Sequence, residues 1–328
     1  MLALVFLAAV SALDTLSRQT LRAKQGVRFQ QAALSLEARA VWMAATEPMS
    51  EDSILVGAPR AESAPTANPS LRLRRPAIVP IALDGRAYRA GDPREPLSVS
   101  LQDGAGQLNL DQMPEPAKAR LAALLGVPPA EQGRLVDRWN DWLDPDQLER
   151  RSGAEAPDYA AAGLAAPRDG PMRRTAEILG VMGWTATVPR ERWMALRDAL
   201  RTDPLSSAFN VNTAPPEALA VMLGLSPAQV EAAVTARRRR PFASMAELTA
   251  TIAPIPYDSE APYTRPDGSF LLRVAAPGQR LVFRSRIVLT PQSPERPLWI
   301  TERSLSAASA QDPTGLPADA LPFPDPAR

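Results

Sequence analysis

Residues 141–159 read DWLDPDQLERRSGAEAPDY, a stretch in which acidic side chains are mixed with residues that break helices. Pro145, Gly153 and Pro157 disfavour a continuous helix, so the stretch predicts a loop that folds back on itself. Carboxylates crowded into such a loop repel one another unless positive charge lies between them. The carboxylates within these nineteen residues are Asp141, Asp144, Asp146, Glu149, Glu155 and Asp158.

A hard cation is one source of that positive charge. Calcium binds six to eight oxygens from carboxylates, backbone carbonyls and water in flexible geometry. The D-x-D spacing of Asp144 and Asp146 is predicted to place both side chains on one side of a turn. The stretch is not an EF-hand, because no twelve-residue loop with glycine sixth and glutamate twelfth fits it. The other interpretation, a solvated loop neutralised by Arg138, Arg150 and Arg151, stays open on sequence alone.

Composition restricts the possible chemistry. The chain has 328 residues, a net charge of +1, and neither cysteine nor histidine. Disulfides, thiolate metal sites and most zinc sites are therefore excluded, as are the Ser-His and Cys-His dyads. A hydrolase using only carboxylates, such as the pairs Asp141/Asp144 or Asp146/Glu155, is the remaining enzyme hypothesis. We predict a protein that is not an enzyme.

The N-terminal thirteen residues, MLALVFLAAVSAL, are apolar and uncharged. A transmembrane helix needs about twenty such residues, so this segment is too short to cross a bilayer alone. A signal peptide cleaved near Ala12 is the first alternative, but no basic region precedes it. Because an apolar stripe continues, we predict one helix to about Ala45, roughly 65 Å long. Its predicted membrane- or partner-facing residues are Leu2, Leu4, Phe6, Leu7, Leu13, Leu16 and Leu21.

Strand patterns lie on both sides of a helical region. Asp84-Gly85 is predicted to form a hairpin turn between the first two strands. Strands, a helical block and further strands together predict an α+β domain interrupted by an α-helical insertion. The predicted strands cover residues 77–82, 86–90, 96–102, 271–275, 281–290 and 298–303.

These patterns set the predicted limits of the domains. The proline-rich and small residues at the C-terminus predict disorder. The predicted parts are an N-terminal helix (1–45), a first α+β segment (46–102), the inserted α-helical domain (103–255), a second α+β segment (256–304) and a disordered tail (305–328).

The insertion contains the outline of a helix-hairpin-helix. Asn212 or Thr213 is predicted to cap a helix that the hairpin at Gly224 joins to a second helix. The basic run Arg237, Arg238, Arg239 and Arg240 ends that second helix, and DNA binding is therefore the alternative function. The hairpin lacks the second glycine typical of DNA-binding versions, and Pro227 has no amide hydrogen to donate. A packed structural motif is the preferred interpretation.

Several motifs, taken in order, resemble one family: the minor pseudopilin K of type II secretion systems, also called general secretion pathway protein K. No single motif is specific, but the ordered set covers residues 103–248, and the long helix and flanking strands also fit. The motifs are DGAGQLNL at Asp103, DWLDPD at Asp141, GAEAPDY at Gly153, AEILGVMG at Ala176, NVNTA at Asn210 and RRRRPFASMAEL at Arg237.

The resemblance implies a pilin-like fold, with a long N-terminal helix packed on a small antiparallel sheet and a large inserted α-helical domain. It implies a non-enzymatic subunit at the tip of the periplasmic pseudopilus, acting in pseudopilus assembly and protein export. It further implies calcium in the inserted domain. Carried over by motif, the ligands would be Asp144, Asp146, Glu155 and Asp158, with Asp141 and Glu149 as further candidates.

The implied partners are the minor pseudopilins I and J, and the inner membrane before assembly; nucleic acids and small-molecule substrates are not implied. The expected location is the inner membrane, spanned once, with most of the chain in the periplasm. Family members begin with a basic leader, a cleavage site and about twenty apolar residues. By that comparison, Met1 would lie inside the apolar segment.

Overall fold

The computed structural model describes residues 2–58, 77–252, 262–276, 280–308 and 315–324. The side chains of residues 2–10, Ala12, Pro262 and Tyr263 lie outside the described part. The chain divides into two compact units. We call Met1–Glu47, Ala87–Ser100 and Leu272–Arg328 the sheet unit, and Pro48–Arg86 and Leu101–Leu271 the helical unit.

The described secondary structure matches the predicted order of helix, strands, helical region and strands. The helices are α1 (Leu2–Thr46), α2 (Glu115–Leu124), α3 (Pro129–Leu143), α4 (Ala156–Ala161), α5 (Trp184–Thr187), α6 (Arg190–Leu196), α7 (Pro216–Leu223), α8 (Pro227–Arg239) and α9 (Met245–Ile252). The strands are β1 (Ser53–Val56), β2 (Val79–Ala82), β3 (Tyr88–Asp92), β4 (Glu95–Asp103), β5 (Leu108–Asn109), β6 (Leu200–Arg201), β7 (Phe209–Asn210), β8 (Pro262–Tyr263), β9 (Ser269–Ala276), β10 (Leu281–Leu289) and β11 (Leu298–Ala307).

Helix α1 packs on the sheet only over its second half. Phe29, Ala33, Leu36, Ala40 and Met43 recur every three or four residues and are buried, which places them on one face of the helix. This face contacts β10. Between residues 13 and 28 nearly every described side chain is exposed. The predicted single long helix is thus confirmed, and its N-terminal half projects from the sheet unit without a packing partner in the described part of the chain.

The main sheet has five strands in the order β11-β10-β9-β4-β3. The pairs β10–β11 and β3–β4 are antiparallel. Val99, Val274 and Phe283 are buried where α1 and the sheet form the core of the sheet unit. Strands β4 and β9 each continue along the chain into the helical unit, so its larger part, Leu101–Leu271, is inserted between two neighbouring strands.

Two predictions about the turns and the tail were wrong. The Asp84-Gly85 turn exists, with Gly85 at φ +79°, but β2 pairs with β1 and β3 pairs with β4, so no β2–β3 hairpin forms. The tail is not disordered from residue 305, because β11 continues to Ala307. Phe323 is also buried, with its ring centroid 6.2 Å from that of Tyr88 in an edge-on contact.

The limits of the compact units differ from the predicted domain limits. Residues 48–86 belong to the helical unit, where Asn210 Nδ2 donates a 3.0 Å hydrogen bond to the Glu51 carbonyl. At the other end the helical unit continues to Leu271. The reason lies in Arg201, which is almost fully buried and pairs at 2.6 Å with Asp267. A buried guanidinium needs such a partner, so the segment around Asp267 packs with the helices.

The core of the helical unit contains a row of tryptophans. Trp184 lies between Trp139 and Trp193, with ring centroids 5.7 Å from each and both contacts edge-on. All three are at least 95% buried. Such aromatic contacts add to the free energy gained from burying large apolar surfaces. This row connects α3, which leads into the acidic loop, to α5 and α6.

Helices α7 and α8 form the predicted hairpin, with Gly224 at φ +66° in the turn. The predicted caps were wrong, because α7 is preceded by Pro215 and has no side-chain cap. Asn212 instead holds the segment after α8: its Nδ2 donates to the Phe242 carbonyl at 2.9 Å, and its Oδ1 accepts from the Phe242 amide at 2.8 Å. Thr213 donates to Asp103.

Candidate metal site

The acidic stretch folds as the predicted loop between two helices. Helix α3 ends at Leu143, and the chain then turns back so that Gly153–Glu155 returns beside the last turn of α3. Asp141 is fully buried in that last turn and anchors the return: its Oδ2 accepts from the Arg150 amide at 3.2 Å and from the Ala154 amide at 2.9 Å. The loop is therefore built around one carboxylate.

Three of the predicted ligands meet inside this loop. Asp141, Asp144 and Glu155 each place a carboxylate oxygen within 4.8 Å of the other two. Glu155 is 3% exposed, and neither of its carboxylate oxygens has a hydrogen-bond partner in the described structure. The same holds for Oδ1 of Asp141 and Oδ1 of Asp144. Because buried polar oxygens are nearly always satisfied, this group of unpaired acceptors fits a bound cation.

The electrostatics agree with that interpretation. Burial, followed by repulsion from Asp141, Asp144, Asp169 and Asp146, raises the pKa of Glu155 to about 7. Burial also raises the pKa of Asp141 and of Asp144, and in Asp144 the repulsion of Asp146 and Asp141 adds to it. Without a cation, the charged forms of these carboxylates are thus disfavoured. A divalent ion bound among them would remove that penalty.

Asp169 is a residue that the sequence interpretation missed. It has φ +53°, an unusual conformation for a residue other than glycine, and its Oδ1 is buried without a hydrogen-bond partner. Its Oδ2 accepts from Gln147 Nε2 at 2.8 Å. The available signal was the Asp169-Gly170 pair, which is typical of a tight turn. Nothing in the sequence connected that turn to the loop before it.

Two predicted ligands do not join the three. Asp146 Oδ1 accepts from the Leu148 amide at 2.8 Å, and Asp158 Oδ2 accepts from the Glu155 amide at 3.0 Å. Asp146 shapes the turn, and Asp158 lies at the start of α4, where it holds the amide of Glu155. Glu149 is exposed. These carboxylates have local backbone partners or solvent, whereas Asp141, Asp144 and Glu155 face one another.

The alternative interpretation, a loop neutralised by nearby arginines, fits the structure only in part. Arg150 lies beside the carboxylates, with its Nε 3.4 Å from Asp141 Oδ1 and its Nη2 3.8 Å from Asp144 Oδ2. Arg138 is directed elsewhere and donates to the Met182 carbonyl at 3.3 Å. Arg151 is exposed. One guanidinium at these distances neutralises the site incompletely and leaves the unpaired oxygens unsatisfied.

Gly153 is required where the loop closes on Asp141. A Cβ added at Gly153 would lie 1.7 Å from Asp141 Oδ2 and 3.0 Å from the Arg150 amide nitrogen. We expect Gly153→Ala to lower the free energy of unfolding by about 1–3 kcal/mol, because an overpacked site must displace a fully buried carboxylate. Urea unfolding followed by circular dichroism measures this.

Gly133 is the matched control for that substitution. It is exposed in the middle of α3, and an added Cβ would meet nothing within 4 Å. Gly133→Ala should therefore stabilise the protein by about 1 kcal/mol through helix propensity. Equal effects of the two alanine substitutions would contradict the described closure of the loop.

Two of the sequence motifs are connected by buried hydrogen bonds in the helical unit. Asp103 Oδ2 accepts from Thr213 Oγ1 at 2.7 Å and from Asn210 Nδ2 at 3.0 Å. Gln102 Nε2 donates to the Thr213 carbonyl at 3.0 Å. Burial raises the pKa of Asp103 to about 7 despite these hydrogen bonds. The DGAGQLNL and NVNTA motifs are therefore explained by packing and hydrogen bonding between distant segments.

The basic run does not form a continuous phosphate-binding surface. Arg237 is 8% exposed and its Nη1 donates to the Val211 carbonyl at 2.7 Å. Burial lowers its pKa to about 10. Arg240 pairs with Glu247, while Arg238 and Arg239 are exposed. The run serves partly to hold the end of α8, and it does not favour the DNA-binding alternative.

The predicted partner-facing residues of α1 are exposed wherever their side chains are described. Leu13 is 64% exposed, Leu16 58% and Leu21 60%. The side chains of Leu2, Leu4, Phe6 and Leu7 lie outside the described part. In the described residues, no helix combines the length and the apolar character needed to cross a membrane.

A long helix packed on a small sheet, with a helical unit inserted between two strands, defines a pilin-like α+β protein. Residues 99–191 match one family model described as type II secretion system (T2SS), protein K, and residues 209–256 match a second with the same description. These matches confirm the resemblance seen in the motifs: over these residues the chain is similar in sequence to type II secretion system protein K.

Two known proteins are similar to this chain, one in sequence and one in fold. Over 163 residues the chain is 31% identical to type II secretion system protein K of Pseudomonas aeruginosa, a region that covers 47% of this chain and 48% of the relative. The chain thus spans about half the length of that curated relative. Its fold is similar to a chain in the crystal structure of the GspK-GspI-GspJ complex from enterotoxigenic Escherichia coli, with a TM-score of 0.57 and 17% identity over 89% of this chain and 99% of that chain.

Proposed function

We propose that this protein is a minor pseudopilin at the tip of the periplasmic pseudopilus of a type II secretion system. In this role it acts in pseudopilus assembly and protein export and is not an enzyme. The observation that carries the proposal is the match of residues 99–191 and 209–256 to protein K within a pilin-like fold. Its partners are the minor pseudopilins of types I and J, in line with the GspK-GspI-GspJ complex that has a similar fold.

The first half of α1 supplies the surface for these partners. Leu13, Leu16, Leu21 and Val27 are each more than half exposed. A free helix of this length is only marginally stable in water, because most helical stability in proteins comes from packing. Burial of these residues against neighbouring pseudopilin helices would stabilise it. Before assembly, the apolar start of α1 anchors the protein in the inner membrane, with most of the chain in the periplasm.

Calcium is the proposed cofactor of the helical unit. Asp141, Asp144 and Glu155 would hold the ion, and their unpaired buried oxygens are the hard ligands that calcium prefers. Asp169 adds negative charge at the same place. The ion would neutralise the carboxylates and fix the loop between α3 and α4, so its contribution is to stability and shape.

The secretion function is tested in the source bacterium. Deletion of the gene should abolish export of type II substrates to the medium, and the wild-type gene should restore it. A Leu16→Asp/Leu21→Asp variant should fail to restore export, because two carboxylates would be buried against partner helices. Leu205→Asp, at a site 95% exposed in the helical unit, is the control that should restore it. Normal export in the deletion strain would refute the proposal.

A further inference from the structure

Arg150 lies at the edge of the carboxylate group, between two sets of acidic oxygens. On one side its Nε is 3.4 Å from Asp141 Oδ1 and its Nη2 is 3.8 Å from Asp144 Oδ2. On the other side its Nη1 donates a 3.2 Å hydrogen bond to Glu115 Oε1. The guanidinium therefore contacts both the proposed ligands and a carboxylate outside the site.

The contacts on the two sides differ in kind. The Arg150 guanidinium makes a hydrogen bond to Glu115 but none to Asp141 Oδ1 or Asp144 Oδ1, and both of these buried oxygens have no hydrogen-bond partner in the described structure. The Arg150 side chain is 42% exposed, whereas the Asp141 side chain is fully buried. A half-exposed guanidinium can leave the site at little cost, and Glu115 is already in place to receive it.

We propose that Arg150 is a displaceable counter-ion of the calcium site, and that it sets calcium affinity by competing with the ion for Asp141 and Asp144. This inference rests on the proposed calcium site. Without calcium, the guanidinium reduces the repulsion among the buried carboxylates. When calcium binds, the guanidinium moves away from the ion and keeps Glu115 as its partner, because two cations cannot occupy one group of oxygens without strong repulsion.

The proposal predicts opposite effects of one substitution on affinity and on stability. In Arg150→Gln the competing charge is gone, so calcium should bind about tenfold more tightly. The calcium-free protein should melt at a lower temperature than wild type, because its carboxylates have lost their counter-ion. The Arg150 amide, which donates to Asp141 Oδ2, is kept in this variant.

Substitution of Glu115, the other partner of Arg150, gives a second test of the effect on calcium affinity. Glu115 accepts a hydrogen bond from the guanidinium and is not one of the three clustered carboxylates. Glu115→Gln should therefore leave Arg150 with Asp141 and Asp144 and weaken calcium binding. In an Arg150→Gln background this effect should largely disappear. A double-mutant cycle measures the coupling directly. If Glu115 acted only as a nearby negative charge, its removal would weaken binding equally in both backgrounds.

The experiment is calorimetric titration of the full chain in detergent with calcium chloride at pH 7.5, together with melting curves in a chelator. The variants are Arg150→Gln, Glu115→Gln, the double variant and Arg151→Gln. Arg151 is the exposed neighbour and controls for the loss of one positive charge; its variant should bind calcium within about twofold of wild type.

The outcomes separate the two proposals. Tighter binding in Arg150→Gln than in Arg151→Gln, with a lower calcium-free melting temperature, supports the counter-ion. Unchanged or weaker binding in Arg150→Gln overturns the counter-ion while the calcium site stands. If wild type and all variants release no heat and show no melting shift with calcium, the calcium site itself is refuted, and the competition inferred for Arg150 falls with it.

Discussion

Removing calcium with a chelator should lower the stability of the helical unit by about 2.7 kcal/mol, compared with protein in calcium at a hundred times its dissociation constant. The stabilisation arises because the ion binds only the folded loop, where Asp141, Asp144 and Glu155 converge. For a unit of this size the melting temperature should fall by roughly 5–10 °C. Differential scanning calorimetry with and without chelator measures this shift.

Glu155→Gln tests the calcium prediction further, because its expected effect on the melting temperature differs between chelator and calcium. The variant removes a buried carboxylate whose pKa is raised to about 7 by burial and by its acidic neighbours. In chelator it should melt at or above the wild-type temperature, because repulsion inside the loop is relieved. In calcium it should melt below wild type, because a ligand is lost. A variant that is less stable than wild type by the same amount in both conditions would show that Glu155 has a purely structural role.

Trp184→Ala has the largest effect expected from a single substitution. Trp184 is 1% exposed and lies between Trp139 and Trp193. Removing the indole leaves a large cavity in the helical unit and should cost about 3–5 kcal/mol. The melting temperature should fall by roughly 6–20 °C. Thermal unfolding monitored by the fluorescence of the remaining tryptophans measures this change.

The control for the tryptophan prediction is an exposed apolar residue in the same unit. Leu205 is 95% exposed, and Leu205→Ala should change the free energy of unfolding by no more than about 0.5 kcal/mol. If Trp184→Ala cost as little as Leu205→Ala, the aromatic row could not be the centre of the core. The loop that begins at the end of α3 would then lack its described support.

Local patterns in the sequence predicted most of the fold. The apolar stripe of α1 and the runs that form β4, β9 and β10 were recognised because their period depends on neighbouring residues only. Pairing was less predictable: the Asp84-Gly85 turn was found, but β1 rather than β3 pairs with β2. The limits of the helical unit also depend on a distant contact, the ion pair of buried Arg201 with Asp267.

The candidate site was also predicted only in part, because local sequence patterns do not show which residues meet in the folded chain. Asp141, Asp144 and Glu155 were identified from acidic density within one loop. Sequence could not distinguish them from Asp146 and Asp158, because only the folded loop determines which carboxylate oxygens come close to one another. Asp169 was missed because its turn approaches the loop only in the folded chain. Arg237 was predicted only as part of the basic run that ends the second helix of the hairpin, and its burial on α8 was not foreseen.

The most direct test of the central claim is the mass of the complex formed with the two candidate partners. The full chain would be co-expressed with the minor pseudopilins I and J of the same organism, purified in detergent through a tag on this chain, and measured by light scattering. A stable complex with one copy of each subunit is the predicted result. A monomer that retains neither partner, from cells in which both are expressed and folded, would contradict the assignment to the pseudopilus tip.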